Sequence, residues 1–254
     1  MTRILDVDGA VNLRDIGGYQ SVGGGTVKFG SLYRSGMLAH LTDEGKAQFA
    51  DLDVKLICDL RREDEKAEDP TVLDPVEFPR LELPIDPGSA IEMRKRLAAG
   101  LSADERAEYM TALTAELPID HAESYATMFD ALLGLDEGGF LVHCSAGKDR
   151  TGVAIALILH SLGVPKATVL NDYLFTNEAI DYEGFVLPRL ARRYEPDAVH
   201  DKEAIMAIAG VRAQYLEAAY LSIEQAFDDV EAYLHGALKL TPAHLAGLRK
   251  RYLT

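Results

Sequence analysis

The sequence predicts an α/β domain with a central, mostly parallel sheet, helices on both faces and additional helices. Short apolar runs at 28–35, 54–61 and 139–142 are typical of buried strands. Longer segments with helical spacing of apolar residues separate these strands, and that alternation favours a parallel sheet. A chain of 254 residues can bury one sizeable core without a second domain. We therefore expect one domain over residues 1–254.

Composition argues against several classes of function. A net charge of −15 disfavours nucleic acids and broad binding to anionic membranes as partners. The two cysteines, Cys58 and Cys144, make no disulfide framework and suit a reducing compartment. The amino terminus has no apolar signal core, so we expect a cytoplasmic protein, with signal-independent secretion as an open alternative. The histidines outside residues 143–152 form no ligand-spaced cluster, so we expect neither a metal nor a cofactor.

The segment 143–152, His-Cys-Ser-Ala-Gly-Lys-Asp-Arg-Thr-Gly, links the predicted strand 139–142 to an apolar helix. It thus lies at the amino end of a helix, where unpaired N–H groups bind anions. Backbone N–H groups of this loop can surround a tetrahedral oxyanion, and an arginine fork can hold two of its oxygens. The predicted substrate-binding residues are Ser145, Ala146, Gly147, Lys148, Asp149 and Arg150.

Cys144 is the candidate nucleophile, and Arg150 is its predicted catalytic partner. The helix amino end and two nearby cations favour the thiolate of Cys144 at neutral pH. A thiolate in line with the leaving oxygen of a bound phosphate forms a phosphocysteine, which is hydrolysed in a second step. The alternative of a Walker-type ATP loop fails, because Asp149 follows the Gly147-Lys148 pair and the required first glycine is absent.

His-Cys-x5-Arg-Thr-Gly at 143–152 resembles the signature loop of the cysteine-dependent protein tyrosine phosphatases. Asn-x-Arg-Asp-x-Gly-Gly-Tyr at 12–19 resembles the amino-terminal motif of their PtpB-type bacterial branch. The resemblance implies a tyrosine-phosphatase-like fold. The substrates it implies are phosphotyrosine, phosphoserine or phosphothreonine in proteins, and phosphoinositides. The resemblance also implies that five residues brace the loop from outside the substrate site: His143, Thr151, Asn12, Arg14 and Asp15. Arg34-Ser35 recurs in the family and is either solvated or a further brace.

A tyrosine phosphatase needs a general acid to protonate the leaving phenolate. Asp149 is the first candidate, because the PtpB-type branch also carries Lys-Asp-Arg inside this loop. Asp59 is the second candidate, since that branch has Asp-Leu-Arg at a matching place, although an aspartate at a strand end can instead cap the next turn. Lys148 resembles a lysine in the loops of phosphoinositide phosphatases and is expected to favour substrates with several phosphates.

Further interpretations remain open from the sequence. The resemblance implies that residues 178–215 form a lid over the site, whereas a solvated basic helix at the domain edge is the alternative. Cys58 is either a buried small hydrophobe or the partner of Cys144 in a reversible disulfide. The competing functions are a catalytically weak phosphate- or phosphoinositide-binding module and a rhodanese-like sulfurtransferase. The intact Cys-x5-Arg loop argues against both. The oligomeric state is open.

Overall fold

The computed structural model describes residues 3–87, 101–188 and 202–254. Five strands form one sheet: β1 (Arg14–Asp15), β2 (Leu32–Ser35), β3 (Val54–Asp59), β4 (Arg80–Glu82) and β5 (Gly139–His143). Their spatial order is β1-β2-β5-β3-β4, with β1 antiparallel to β2 and every other pair parallel. The prediction of a mostly parallel sheet is confirmed. Strand β5, which carries the loop at 143–152, occupies the centre.

Helices and one π-helical turn make up most of the described residues outside the sheet. In chain order the helices are α1 (Asp43–Ala50), α2 (Glu63–Glu68), α3 (Ala103–Asp120), α4 (Ala122–Gly134), α5 (Asp149–Ser161), α6 (Lys166–Leu174), α7 (Thr176–Ala179), α8 (Lys202–Ala209), α9 (Ala213–Phe227), α10 (Val230–Gly236) and α11 (Pro242–Tyr252), with the π-helical turn at Tyr182–Val186. No helix in the described ranges is long and apolar enough to cross a membrane.

The core lies on both faces of the sheet, because successive side chains of a strand point to opposite faces. Phe140 and Val142 of β5 join the larger apolar cluster, which contains the helices α3, α4, α5 and α9. Leu141 joins a smaller cluster that includes Phe49 of α1. Helix α5 is buried from Arg150 to Leu159, as its apolar sequence predicts. The predicted helices on both faces are therefore confirmed.

Two predicted strands are shorter in the structure. The strand over 54–61 ends at Asp59, because the Asp59 carboxylate accepts the Arg61 amide at 3.0 Å and turns the chain. The strand over 28–35 begins only at Leu32, after a turn at Gly30, whose φ is +76°. Of the expected lid at 178–215, residues 189–201 lie outside the described residues, and the rest contains α7, the π-helical turn and α8.

The turn from β5 into α5 depends on a glycine. Gly147 has a φ of +67°, a left-handed conformation that costs other L-residues about 1–2 kcal/mol. A Cβ atom there would also lie 2.4 Å from the carbonyl oxygen of Ser35 in β2. The close approach of the loop to the neighbouring strand therefore requires Gly147.

We expect Gly147→Ala to lower the free energy of unfolding by more than about 2 kcal/mol, from backbone strain together with steric overlap. Urea denaturation would measure the change. Gly247→Ala in α11 is the matched control, because a Cβ there meets open space. It should raise stability by at most about 1 kcal/mol through helix propensity. Equal stability of the two variants would contradict the assigned constraint.

Candidate active site

The loop after β5 is held from behind through its carbonyl groups. Asn12 Nδ2 donates to the carbonyl oxygens of Ala146 at 3.0 Å and Gly147 at 2.9 Å. Arg34 Nη2 donates to the carbonyl of Gly147 at 2.8 Å, and the Met37 amide donates to the carbonyl of Ser145 at 2.9 Å. A trans peptide points its N–H opposite to its C=O. The amides of residues 146, 147 and 148 therefore face the inside of the loop, as an anion-binding nest requires.

Asn12, Arg14 and Asp15 of the amino-terminal motif have different hydrogen-bond partners. Asn12 contacts the loop directly, and its φ of +54° is one that asparagine tolerates. Arg14 Nη1 donates to Asn12 Oδ1, so Arg14 reaches the loop through Asn12. Asp15 instead accepts the amides of Gly17 and Gly30, each at 2.7 Å. Asp15 therefore supports the turn after β1 and not the loop, which differs from the expectation for this residue.

Arg150 forms a two-pronged ion pair with Glu65 of α2. Its Nη1 and Nη2 atoms lie 2.7 and 2.8 Å from the Glu65 carboxylate oxygens, and Nη1 also donates to the carbonyl of Leu60 at 3.2 Å. The Ser145 hydroxyl donates to the same carboxylate at 2.5 Å. Although burial opposes both shifts, this pairing raises the pKa of Arg150 and lowers the pKa of Glu65.

Glu65 was not among the site residues predicted from the sequence. Its only signal was an acidic first turn of α2, where Glu63, Asp64 and Glu65 are equally suited to the helix amino end. Only the packing of α2 against the loop distinguishes Glu65, which is buried, from its neighbours.

Cys144 directly follows the last residue of β5 and is 3 % exposed. The Nδ1 atom of the preceding His143 lies 3.3 Å from the Cys144 carbonyl oxygen, and its Nε2 atom lies 3.4 Å from Asp59 Oδ2. The hydroxyl of Thr151 is buried and has no hydrogen-bond partner among the described residues. His143 thus connects the loop to the end of β3.

Asp59 and Asp149, the two candidate acids, have opposite environments. Asp59 lies 1 % exposed between His143 and Arg61, whose Nη2 donates to it at 2.7 Å. Burial alone would raise the pKa of Asp59, but these two partners hold it well below its usual range. Asp149 Oδ1 is buried without a hydrogen-bond partner among the described residues. Burial raises the pKa of Asp149 despite the opposing effect of Lys148 and Arg150.

Lys148 points towards the carboxyl end of α8 and the residue that follows it. Its ammonium donates to the carbonyls of Ile208 and of Gly210, the latter at 3.0 Å, and lies 3.6 Å from Asp149 Oδ2. Asn177 pairs with the backbone of Val211 in both directions, so this turn is tied down at two points. These contacts of the Lys148 ammonium differ from the expectation that it faces the substrate. The lysine instead joins the loop to the described part of the expected lid.

Cys58 lies on β3 beside Val142 of β5 and is fully buried in the larger apolar cluster. Burial, followed by the charge of Asp59, raises the pKa of its thiol. Both cysteines are free thiols. These surroundings are those of a small packing residue rather than of a reactive thiol.

Known proteins provide a comparison for this site. The profile of the tyrosine phosphatase family matches residues 5–254. A Cupriavidus necator protein that carries the name tyrosine-protein phosphatase is 33% identical over 250 residues, which cover 96% of this chain and 87% of that protein. The triple specificity protein phosphatase PtpB of Mycobacterium tuberculosis is 28% identical over 262 residues, which cover 92% of this chain and 94% of that protein.

Among solved structures, the crystal structure of P. aeruginosa TpbA matches 82% of this chain and 91% of its own at 18% identity, with a TM-score of 0.32. The family assignment does not depend on that likeness, since the family profile spans nearly the whole chain and includes the loop at 143–152. The family predicted from the two motifs is confirmed: this chain belongs to the tyrosine phosphatase family.

Proposed function

We propose that this tyrosine phosphatase hydrolyses phosphotyrosine in proteins through a phosphocysteine on Cys144. The observation that carries the proposal is the loop, whose carbonyls are held outward while Cys144 and Arg150 stand at its two ends. The names of the two relatives, a tyrosine-protein phosphatase and a triple specificity protein phosphatase, support the same reaction. The sulfurtransferase and binding-module alternatives gain no support from the family.

In the first step the loop amides and Arg150 bind the three non-bridging oxygens of the phosphoryl group. The sulfur of Cys144 then attacks phosphorus from the side opposite to the tyrosine oxygen. The S–P bond forms as the P–O bond breaks, and the leaving oxygen takes a proton from an acid. Because the amides already point inward, they stabilise the transition-state charge without reorganising.

Asp149 is the better candidate for that acid. A general acid works best when its protonated form is favoured: burial raises the pKa of Asp149, whereas His143 and Arg61 hold that of Asp59 well below its usual range. Asp59 serves instead to hold His143, and through it the end of β5. In the second step Asp149, now ionised, takes a proton from water. The water oxygen bonds to phosphorus, the S–P bond breaks, and inorganic phosphate leaves.

Glu65 has the role of a positioning residue. It fixes the plane of the Arg150 fork and holds the Ser145 hydroxyl, so both ends of the loop share one carboxylate. Correct placement of such a fork matters, since a misplacement of about 1 Å costs roughly 10²-fold in rate.

We expect Cys144→Ser to abolish turnover of para-nitrophenyl phosphate and of a phosphotyrosine peptide. Asp149→Asn should lower kcat by about 10²-fold or more on the peptide, whose leaving group needs a proton, and by much less on para-nitrophenyl phosphate. Steady-state kinetics with aryl phosphates of graded leaving-group pKa would measure the difference. Equal losses on all leaving groups would remove Asp149 from the acid role, and an inactive wild-type protein would overturn the proposed function.

Glu65→Gln should lower stability by roughly 3 kcal/mol at pH 7, because it leaves the buried charge of Arg150 unpaired. The pKa of Glu65 is lower in the folded than in the unfolded protein, so its contribution is complete above the ordinary carboxyl range and is lost as pH falls. Denaturation of both proteins between pH 7 and pH 3 should therefore show their difference shrinking with acid. Glu63→Gln, on the exposed side of the same helix, is the control and should change little. A pH-independent difference would contradict the ion pair.

Lys148→Met tests whether Lys148 binds a second phosphate of a phosphoinositide substrate. Because the ammonium binds the carbonyls of Ile208 and Gly210, we expect turnover of para-nitrophenyl phosphate and of a phosphoinositide to fall by similar factors. Parallel assays of the two substrates would measure the ratio. A loss confined to the phosphoinositide would instead favour the interpretation in which Lys148 binds a second phosphate.

A further inference from the structure

Behind the phosphate-binding loop, two arginines are buried with one carboxylate. Arg14 and Arg34 are each 0 % exposed, and Asp172 of α6 is 2 % exposed. Arg34 Nη1 lies 2.6 Å from Asp172 Oδ2, whereas Arg14 Nη2 lies 4.0 Å from the same oxygen. The other oxygen of Asp172 accepts the Tyr19 hydroxyl at 2.9 Å. We call Arg14, Arg34 and Asp172 the rear cluster.

The rear cluster carries one unneutralised positive charge. Among the described residues, Asp172 is the only carboxylate within ion-pair distance of Arg14 or Arg34, so two guanidinium groups share one negative charge. The remaining contacts of Arg14 carry no formal charge: Asn12 Oδ1, the Asp172 carbonyl and the Thr176 hydroxyl, the last two at 3.3 Å, and the face of the Phe175 ring, 5.5 Å away. Burial first, and Arg34 second, lower the pKa of Arg14 to about 9. A buried cation of this kind is costly unless another anion lies nearby.

Both arginines connect directly to the loop. Arg34 donates to the carbonyl of Gly147, and Arg14 donates to Asn12, whose amide binds the carbonyls of Ala146 and Gly147. Each of these peptide units presents its N–H to the inside of the loop. The positive charge thus lies behind the same peptide units that would face a bound oxyanion, in a region from which water is excluded.

We propose that the rear cluster is a second cationic layer whose unneutralised charge increases the affinity of the loop for a tetrahedral dianion. Arg14 and Arg34 act through Asn12 and the loop backbone, so they are positioning residues that also supply charge. The inference rests on the proposed function only in taking residues 144–150 as an oxyanion site. It adds that the missing counterion of the rear cluster is the bound phosphoryl group itself.

The test is a charge series measured by calorimetry with tungstate, a tetrahedral dianion, as the probe. Arg14→Gln makes the rear cluster neutral while keeping a donor for Asn12, and should weaken tungstate binding at least about tenfold. Asp172→Asn raises its charge while keeping an acceptor for Arg34, and should tighten binding. The double variant restores one positive charge and should recover most of the affinity that Arg14→Gln loses. Tyr19→Phe, which removes a hydrogen bond to Asp172 without changing charge, is the control and should stay within about twofold.

A purely structural role would weaken tungstate binding in all three variants, so weakening by Asp172→Asn and by the double variant would overturn the proposal. Unchanged affinity in Arg14→Gln would overturn it as well. Should Arg14→Gln fail to fold, Arg14→Lys keeps the charge without the fork and should bind tungstate nearly as well as wild type. A tenfold loss in Arg14→Lys would contradict the inference. A wild-type protein that binds no tungstate would instead refute the oxyanion site of the proposed function.

Discussion

The outward rotation of the loop carbonyls at residues 145–147 is the constraint on which the rest of the site depends. A peptide cannot turn its N–H inward unless its C=O turns outward, and a buried carbonyl needs a donor. Asn12, Arg34 and the amide of Met37 are those donors, and they come from segments far from the loop in sequence. The central position of β5 brings them together: β2, which carries Arg34, pairs with β5, and the Gly36 amide just after β2 donates to the Val11 carbonyl beside Asn12.

Charge in this site is arranged in pairs that differ in how completely they are balanced. Arg150 and Glu65 form a close, geometrically matched pair with no net charge, which fixes the plane of the guanidinium fork. Asp59 lies between His143 and Arg61 and is held ionised. The rear cluster of Arg14, Arg34 and Asp172 is unbalanced by one positive charge. In an acidic protein of net charge −15, three cations at or behind the loop, Arg14, Arg34 and Arg150, are buried side chains.

Lys148 and Asp149 illustrate how neighbours in sequence can be given separate tasks. Asp149 begins α5, and burial raises the pKa of its carboxyl. Lys148 turns the other way and binds carbonyls in the last turn of α8 and just after it, which joins the loop to the described part of the segment at 178–215.

The sequence alone was sufficient to predict the α/β class, a mostly parallel sheet and the Cys144–Arg150 loop. These features are predictable because the strand, the loop and the helix follow one another within about twenty residues. Apolar patterns predict the strand and the helix, and the Cys-x5-Arg motif predicts the loop between them. Only the family resemblance pointed to Asn12 and Arg14, because the pattern of residues 12–19 does not predict that this segment packs against the loop at 143–152.

The tertiary structure alone decided the partners. Glu65 is one of three adjacent acids, and Asp172 belongs to no motif. Lys148, which the sequence predicts to face the substrate, binds carbonyls at the end of α8 instead. Asp15 was expected to brace the loop with Asn12 and Arg14, yet its carboxylate accepts the amides of Gly17 and Gly30 in the turn after β1. Each of these contacts joins residues far apart along the chain, Glu65 with Arg150 and Arg34 with Asp172 among them. Contacts of that range depend on how helices pack against the sheet, which a one-dimensional pattern does not record.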